Sequence, residues 1–294
     1  MTHLASTQVP SFRREFVHQG VLTKEFGVVE KSLSLWERLY NNGAVRKTVL
    51  LLLVAALWEW YARRLNNALL VPTFSETVVT FIGAIGSGEL PAKAANSLRL
   101  LLQGYAWGLG LAFLFTALAM MTRIGNDLLA TFTSMFNPLP AIALLPLALI
   151  WFGLGDRSII FVLIHSVLWA VALNAHSGFR SVSTTLRMVG RNYGLTGLPF
   201  VIKILVPAAF PSILTGLKIG WAFAWRTLIA AELVFGASSG RGGLGWFIYE
   251  AKNTLDIPSV FAGLFTVILI GLLVENFVFR NLENATVRKW GMQS

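Results

Sequence analysis

Six times between residues 47 and 280 the sequence returns to an apolar run of membrane-crossing length: 47–64, 98–122, 128–150, 158–177, 210–236 and 259–280. A helix that crosses a bilayer needs about 20 mainly apolar residues, because each adds about 1.5 Å to a path of about 30 Å. Inside lipid the backbone must satisfy its own hydrogen bonds, so runs of this length predict helices. The expectation is an all-α, polytopic membrane protein with six transmembrane helices. Composition agrees: 55% of residues are hydrophobic and 13% charged, where soluble domains carry about a quarter charged.

The runs differ in character. The first, KTVLLLLVAALWEWYARR, is short and ends in WEWY, which reads as an interfacial aromatic anchor with Glu59 near its outer rim. The third is interrupted by Pro138, Pro140 and Pro146 and is expected to be kinked or broken. Residues 66–97 suit a short surface helix around 75–86, closed by Gly-Ser-Gly at 86–88 and by Pro91. No insertion is large enough for a soluble domain. The chain divides into an N-terminal arm (1–46), a membrane domain (47–280) and a tail (281–294). The arm holds no apolar run of signal-peptide type, so no cleaved secretory signal is expected.

Lysine and arginine orient the spans. Arg13, Arg14, Lys24, Lys31, Arg38 and Arg46 precede the first run and Lys47 opens it. Arg180, Arg187, Arg191 and Lys203 lie between the fourth and fifth, and Arg280 closes the last, with Arg288 and Lys289 beyond it. Six spans place all three groups, and both termini, on the cytoplasmic side. Arg63, Arg64, Lys93 and Arg99 fall on the other side and oppose this orientation. The net charge of +10 is thus spread as a topology signal. No dense basic patch with interleaved aromatics argues for nucleic acid.

Several chemistries are excluded or weakened. Zero cysteines remove disulfides, thiolate metal sites and thiol nucleophiles. No phosphate-cradling Gly-x4-Gly-Lys-Ser/Thr loop, His-Glu-x-x-His or Gly-x-Ser-x-Gly occurs. His165 and His176 lie near spans without further ligands beside them, and with Asn174 they read as interhelical hydrogen-bond groups. A membrane enzyme is the weaker hypothesis.

The segment between the fourth and fifth runs carries the densest pattern. In TLRMVGRNY (185–193), Leu186, Val189 and Tyr193 fall near one helix face, and Arg187 and Arg191 on another. Gly194 is placed to end that helix, and Thr196 to cap the next, which tolerates Pro199 near its start. Pro207 and Pro211 are expected to break this second helix and to act as a hinge into the fifth span. Such a basic amphipathic helix suits either a headgroup surface or a partner's groove.

Asn137, Pro138, Pro140 and Pro146 form a candidate pathway lining, since unwound backbone at membrane depth belongs beside a cavity. Arg226 falls about 22 Å along a helix counted from Pro211. It reads either as a cation favouring an anion's passage or as a partner for a carboxylate or carbonyls. Asn174 and Glu232 complete the pathway candidates. Gly242, Gly243 and Gly245 form an outer turn after Ser238-Ser239-Gly240.

MVGRNYGLTGLPFVIKILVPAAFP (188–211) resembles the signature loop of inner-membrane permease subunits of binding-protein-dependent ABC importers. That family's pattern is Glu-Ala-Ala, three residues, Gly, nine residues, Ile, one residue, Leu-Pro. Gly194, Ile204 and Pro207 fit its second half, with Val206 in the Leu position, while Met188-Val189-Gly190 depart from Glu-Ala-Ala. NSLRLLLQGYAWGLGLAF (96–113), PLPAIALLPLALIWFGLGD (138–156), AWRTLIAAEL (224–233) and GGLG (242–245) are similar to the branch that imports nitrate, sulfonates, taurine or bicarbonate.

The resemblance implies a type I importer permease, a five-helix core plus an N-terminal helix, in a bacterial inner membrane. It implies a second permease, an identical copy by preference, two ATPases docked on the cytoplasmic face, and a periplasmic binding protein. ATP and Mg would be bound by the ATPases, with no cofactor in this chain. The loop about 178–209 would couple to them through Leu186, Arg187, Met188, Val189, Gly190, Arg191, Asn192, Tyr193, Gly194, Leu195 and Thr196. The alternative is a self-sufficient secondary transporter or channel, although no convincing internal repeat appears.

Overall fold

The computed structural model describes Glu37, residues 40–235 and residues 242–291. Most of the arm, together with Ser238-Ser239-Gly240, lies outside the described residues. Two compact units divide between Leu53 and Val54. In the first, the Asn42 carboxamide oxygen accepts from the Ala44 N–H at 2.9 Å as helix α1 (Gly43–Leu65) begins.

In the second unit every regular element among the described residues is helical. Helix α2 (Phe74–Gly86) is followed by α3 (Glu89–Met121) and α4 (Arg123–Phe136). A 3-10 turn (Ala141–Leu144) leads into α5 (Leu145–Phe152), then α6 (Asp156–Ser181) and α7 (Thr184–Asn192). Short α8 (Gly197–Phe200) passes through a π turn (Val201–Leu205) into α9 (Val206–Phe235). Helix α10 (Leu244–Asn253) precedes α11 (Ile257–Leu273), which continues through π turns and α12 (Arg280–Glu283) to Arg288.

Among the described residues, four helical runs are long and apolar enough to cross a membrane: Glu89–Met121, Asp156–Ser181, Gly197–Val234 and Ile257–Arg288. The α4–α5 pair makes a fifth, bent by 91°. Helix α1 has 23 residues, but Arg46, Lys47, Glu59, Arg63 and Arg64 crowd its apolar stretch. Four or five of the six expected spans therefore meet the criterion.

Helix α6 is the axis of this unit. Its apolar window is 67% buried, against 22–28% for the other three runs. Leu163 and Val167 are fully buried, because glycines on α3 let the backbones approach. A Cβ at Gly104 would collide with Leu163, and one at Gly108 with Val167. On the other flank, Gly216 and Gly220 of α9 lie against Val171, and Ser212 against Gly178. Both stripes recur every four residues: Gly104, Gly108, Ala112 and Ser212, Gly216, Gly220, Ala224. Lipid tails are as apolar as leucine, so close dispersion contact between small residues holds such helices together.

Two expectations about proline are corrected. Pro207 and Pro211 do not break the helix, which runs without interruption over Gly197–Val234. The π turn lengthens the local hydrogen bond, Val206 N–H to Val201 C=O. This wider register adjoins Pro207, which has no N–H to donate. Pro91 likewise sits in the first turn of α3, where a missing N–H costs nothing.

The aromatic anchor at WEWY is also corrected in part. Trp60 and Tyr61 are exposed, but Trp58 turns into protein and donates from Nε1 to the Pro72 carbonyl at 3.0 Å. Its ring lies 5.3 Å from Phe261 and 6.2 Å from Phe265. Glu59 accepts from the Ser75 N–H at 3.0 Å and so caps α2. Thr73 and Glu76 add a capping box to that helix.

The last helical run outlasts the expected span end at 280. Lys218 on α9 pairs with Glu283 at 2.6 Å and lies 3.9 Å from Glu275, fastening this extension to the bundle.

Candidate functional site

The 91° bend between α4 and α5 opens a cavity of about 370 Å³. Pro138 and Pro140 withhold N–H donors where α4 ends, so the backbone passes through a turn, Leu139 N–H to Phe136 C=O, before re-entering a helix. Unwound backbone at this depth requires a polar or protein-covered surface, and the cavity supplies one. Asn137, Pro138 and Pro140 line it from this side. Pro146 does not; it occupies the first turn of α5.

Arg226 and Thr227 of α9 and His165, Ser166 and Trp169 of α6 line the opposite wall. Arg226 is exposed, its guanidinium 5.2 Å from the Phe223 ring centroid and its Nε 3.1 Å from the Ala222 carbonyl. Among the described residues it has no salt-bridge partner, and the cavity lining contains no carboxylate. Ser166 and Thr227 share a hydroxyl contact of 3.0 Å. Both ring nitrogens of His165 and the Trp169 Nε1 are buried without a hydrogen-bond partner among the described residues. The interhelical bond expected of His165 is therefore absent among the described residues. A single cation and the hydroxyls of Ser166 and Thr227 around an apolar cavity suit a small anion.

Asn174 and Glu232 are not in this lining. The Asn174 carboxamide donates to the Ala170 carbonyl of its own helix at 2.8 Å, and its Cβ packs on Gly216. Glu232 is 2% exposed and belongs to a separate construction. Its carboxylate accepts from Ser97 Oγ at 2.8 and 2.9 Å and from the Gly245 N–H at 2.8 Å. Ser97 Oγ in turn accepts from the Leu244 N–H at 2.8 Å. Leu244 and Gly245 open α10, so two N–H groups that the helix itself cannot satisfy are met by side chains from α3 and α9. A Cβ at Gly243 would collide with Glu232 and Ser97, and one at Gly245 with Glu232 and the Ile229 carbonyl. Gly242 lies against Trp246. The glycine cluster is the socket of this cap.

At the other end, Ser183 caps α7 by accepting from the Leu186 N–H at 3.3 Å. Gly194 ends it at φ +73°, with Leu195 N–H bonded to Gly190 C=O and Gly194 N–H to Arg191 C=O. Leu186, Met188, Val189 and Tyr193 are exposed, Tyr193 by 82%. Arg191, Asn192 and Thr196 are exposed as well, and Leu195 is half-buried. Arg187 is turned inward: Nη2 donates to the Phe179 carbonyl at 2.6 Å and Nε to Val182 at 3.2 Å, closing the C-terminus of α6. Thr196 precedes α8 without a side-chain cap.

Residues 104–286, more than half of the chain, match the family described as the binding-protein-dependent transport system inner membrane component. The chain belongs to this family. The permease is 32% identical over 235 residues to a permease protein assigned to an ABC transporter in Methanocaldococcus jannaschii, covering 79% of this chain and 87% of that one. It is 32% identical over 224 residues to a permease protein assigned to aliphatic sulfonates transport in Bacillus subtilis, covering 76% and 79%. A nitrate import permease protein of Synechocystis is 33% identical over 152 residues, covering 52% and 54%. The permease is thus an all-helical inner-membrane component of an ABC importer and belongs to the branch that contains sulfonate and nitrate carriers.

The departure from Glu-Ala-Ala has a local cause at its third position in this permease. Gly190 takes the third position, and a Cβ there would meet the Phe200 ring at 2.8 Å and Ile204 at 2.9 Å. Helix α7 is therefore seated on the π turn more closely than any side chain permits. Ser97, Ser166, Thr227 and Trp169 are site residues that the sequence did not mark. Nothing local distinguishes a serine that will cap a helix 147 residues away.

Proposed function

We propose that this chain forms one half of the translocation pathway of an ATP-driven importer for a small oxyanion such as a sulfonate, nitrate or bicarbonate. The observation that carries this reading is Arg226, an unpaired cation in a cavity whose lining has no carboxylate. A charge at membrane depth is costly unless it faces a watery route or a partner, and a passing anion supplies the partner intermittently. The names of the Bacillus and Synechocystis relatives support the same class of solute.

A second copy of the chain forms the other half, and α7 docks an ATPase subunit that binds ATP and Mg. A periplasmic binding protein delivers the solute at the opposite end, beside the Ser97–Glu232 cap. The exposed apolar residues Leu186, Val189 and Tyr193 support docking, because a ridge on a short helix fits a partner's groove. Both termini face the cytoplasm. Two of the cations that oppose this orientation are neutralised: Arg99 pairs with Asp156 at 2.8 Å and Arg63 with Glu59 at 2.6 Å. Alternation between outward and inward states follows from differential binding of ATP to the two, transmitted through α7.

Uptake of labelled nitrate and methanesulfonate by the assembled transporter tests the reading. Arg226→Gln should lower anion uptake by about tenfold or more, the worth of one charge-assisted hydrogen bond, while Arg226→Lys retains part of it. Undiminished uptake by Arg226→Gln, or preference for a cation, overturns it.

A further inference from the structure

The cavity at Arg226 is the first of three that adjoin one another. Asn137 and Pro138 line both it and a second cavity of about 340 Å³ between α4 and α6. His176 and Arg180 line both this second cavity and a third, of about 420 Å³, at the start of α4 and the end of α6. The α6 positions involved, His165, Trp169, Leu173, His176 and Arg180, recur at intervals of three or four and so lie along one face. From His165 to Arg180 this face extends about 22 Å.

The third cavity is lined by Arg123, Asn126, Asp127, His176 and Arg180, among others. Its fixed charges are two arginines against one carboxylate, and Asp127 already accepts from the Asn126 carboxamide at 3.2 Å. Among the described residues neither Arg123 nor Arg180 is in a salt bridge. Thr133, which lines the middle cavity, is 6% exposed, and its buried hydroxyl has no partner among the described residues. A buried hydroxyl without a partner is costly, so its placement on a cavity wall points to a polar visitor.

Resting on the reading of this chain as an anion permease, we infer that Arg123, His176 and Arg180 form a second anion subsite, reached from Arg226 past Asn137 and Thr133. An anion released from Arg226 passes Asn137, whose carboxamide can donate, and the Thr133 hydroxyl, and is received by the arginine pair. Cationic stations at the two ends of this connected series of cavities let a solute leave the first without re-entering apolar surroundings.

The test uses the full chain purified with the subunits that accompany it, crystallised with selenate as an anomalous oxyanion probe, and separately with rubidium. Selenate density at both Arg226 and Arg180 is expected, with Arg226→Gln removing the first peak alone. Arg180→Gln, and independently Arg123→Gln, should remove the second alone. Selenate at Arg226 only overturns the second subsite and leaves the proposed function standing; selenate at neither overturns both. Rubidium in the third cavity, or a selenate peak that survives both arginine substitutions as an adventitious ion only, also overturns the subsite.

Discussion

The Ser97 hydroxyl donates to the Glu232 carboxylate from 135 residues away, at 2.8 Å to one oxygen and 2.9 Å to the other. Both side chains are almost wholly enclosed, and together they receive the first N–H groups of α10. This one contact joins the start of α3, the end of α9 and the start of α10.

Removing either partner leaves buried groups unsatisfied. Ser97→Ala and Glu232→Ala should each destabilise the folded protein, by about 1–3 kcal/mol, and Glu232→Ala the more. The double variant should lose less than the sum, because the shared bond is lost once. Thermal unfolding of the four proteins in detergent measures the coupling; strict additivity would refute a shared network.

Two glycines should respond oppositely to one methyl group. Gly243→Ala drives a Cβ into Glu232 and Ser97, whereas Gly110 of α3 has nothing within 4 Å. The first should lower membrane accumulation and melting temperature. Gly110→Ala should leave both unchanged, or raise stability by up to about 1 kcal/mol through helix propensity. Quantitative blotting of membrane fractions separates the two.

Arg187 bonds two carbonyls at the end of α6. Arg187→Ala should therefore loosen this end by about 1–2 kcal/mol and increase amide exchange over residues 176–182. Arg187→Lys, a single point charge without the fork, should restore only part of the protection. Equal exchange in all three would show that the cap carries no weight.

Gly194 adopts φ +73° with open space around it. The cost of a substitution there is conformational alone, about 1–2 kcal/mol for a β-branched residue. Gly194→Val should insert in the membrane normally yet lose ATP-dependent uptake, while Gly194→Asn, which tolerates this conformation, retains it. Wild-type uptake by Gly194→Val would refute a role for this turn in coupling.

The sequence was most legible where a local rule acts alone. The break at Pro138 and Pro140, the end of α7 at Gly194 and the short helix at Phe74–Gly86 each follow from a few neighbouring residues. The spacing of Gly104, Gly108, Gly216 and Gly220 also stood in plain view as packing stripes, but apolar run length overshadowed it. Pro207 misled because its effect depends on a π turn, a choice the chain makes only with Phe200 and Ile204 packed on Gly190. Glu232 misled for a different reason. A carboxylate near a span's end looks like pathway chemistry until Ser97 and the backbone of Leu244 and Gly245 arrive from elsewhere in the chain.

The uninterrupted helix over Gly197–Val234 has a mechanical consequence. Its 38 residues make a strut of about 57 Å, with α7 seated at one end and the Glu232 socket at the other. A hinge at Pro207 would have absorbed displacement within the membrane. In the coupling proposed above, a one-piece strut would instead deliver tilt imposed at α7 to the far end of α9 as leverage, gearing the two ends of the rod to each other.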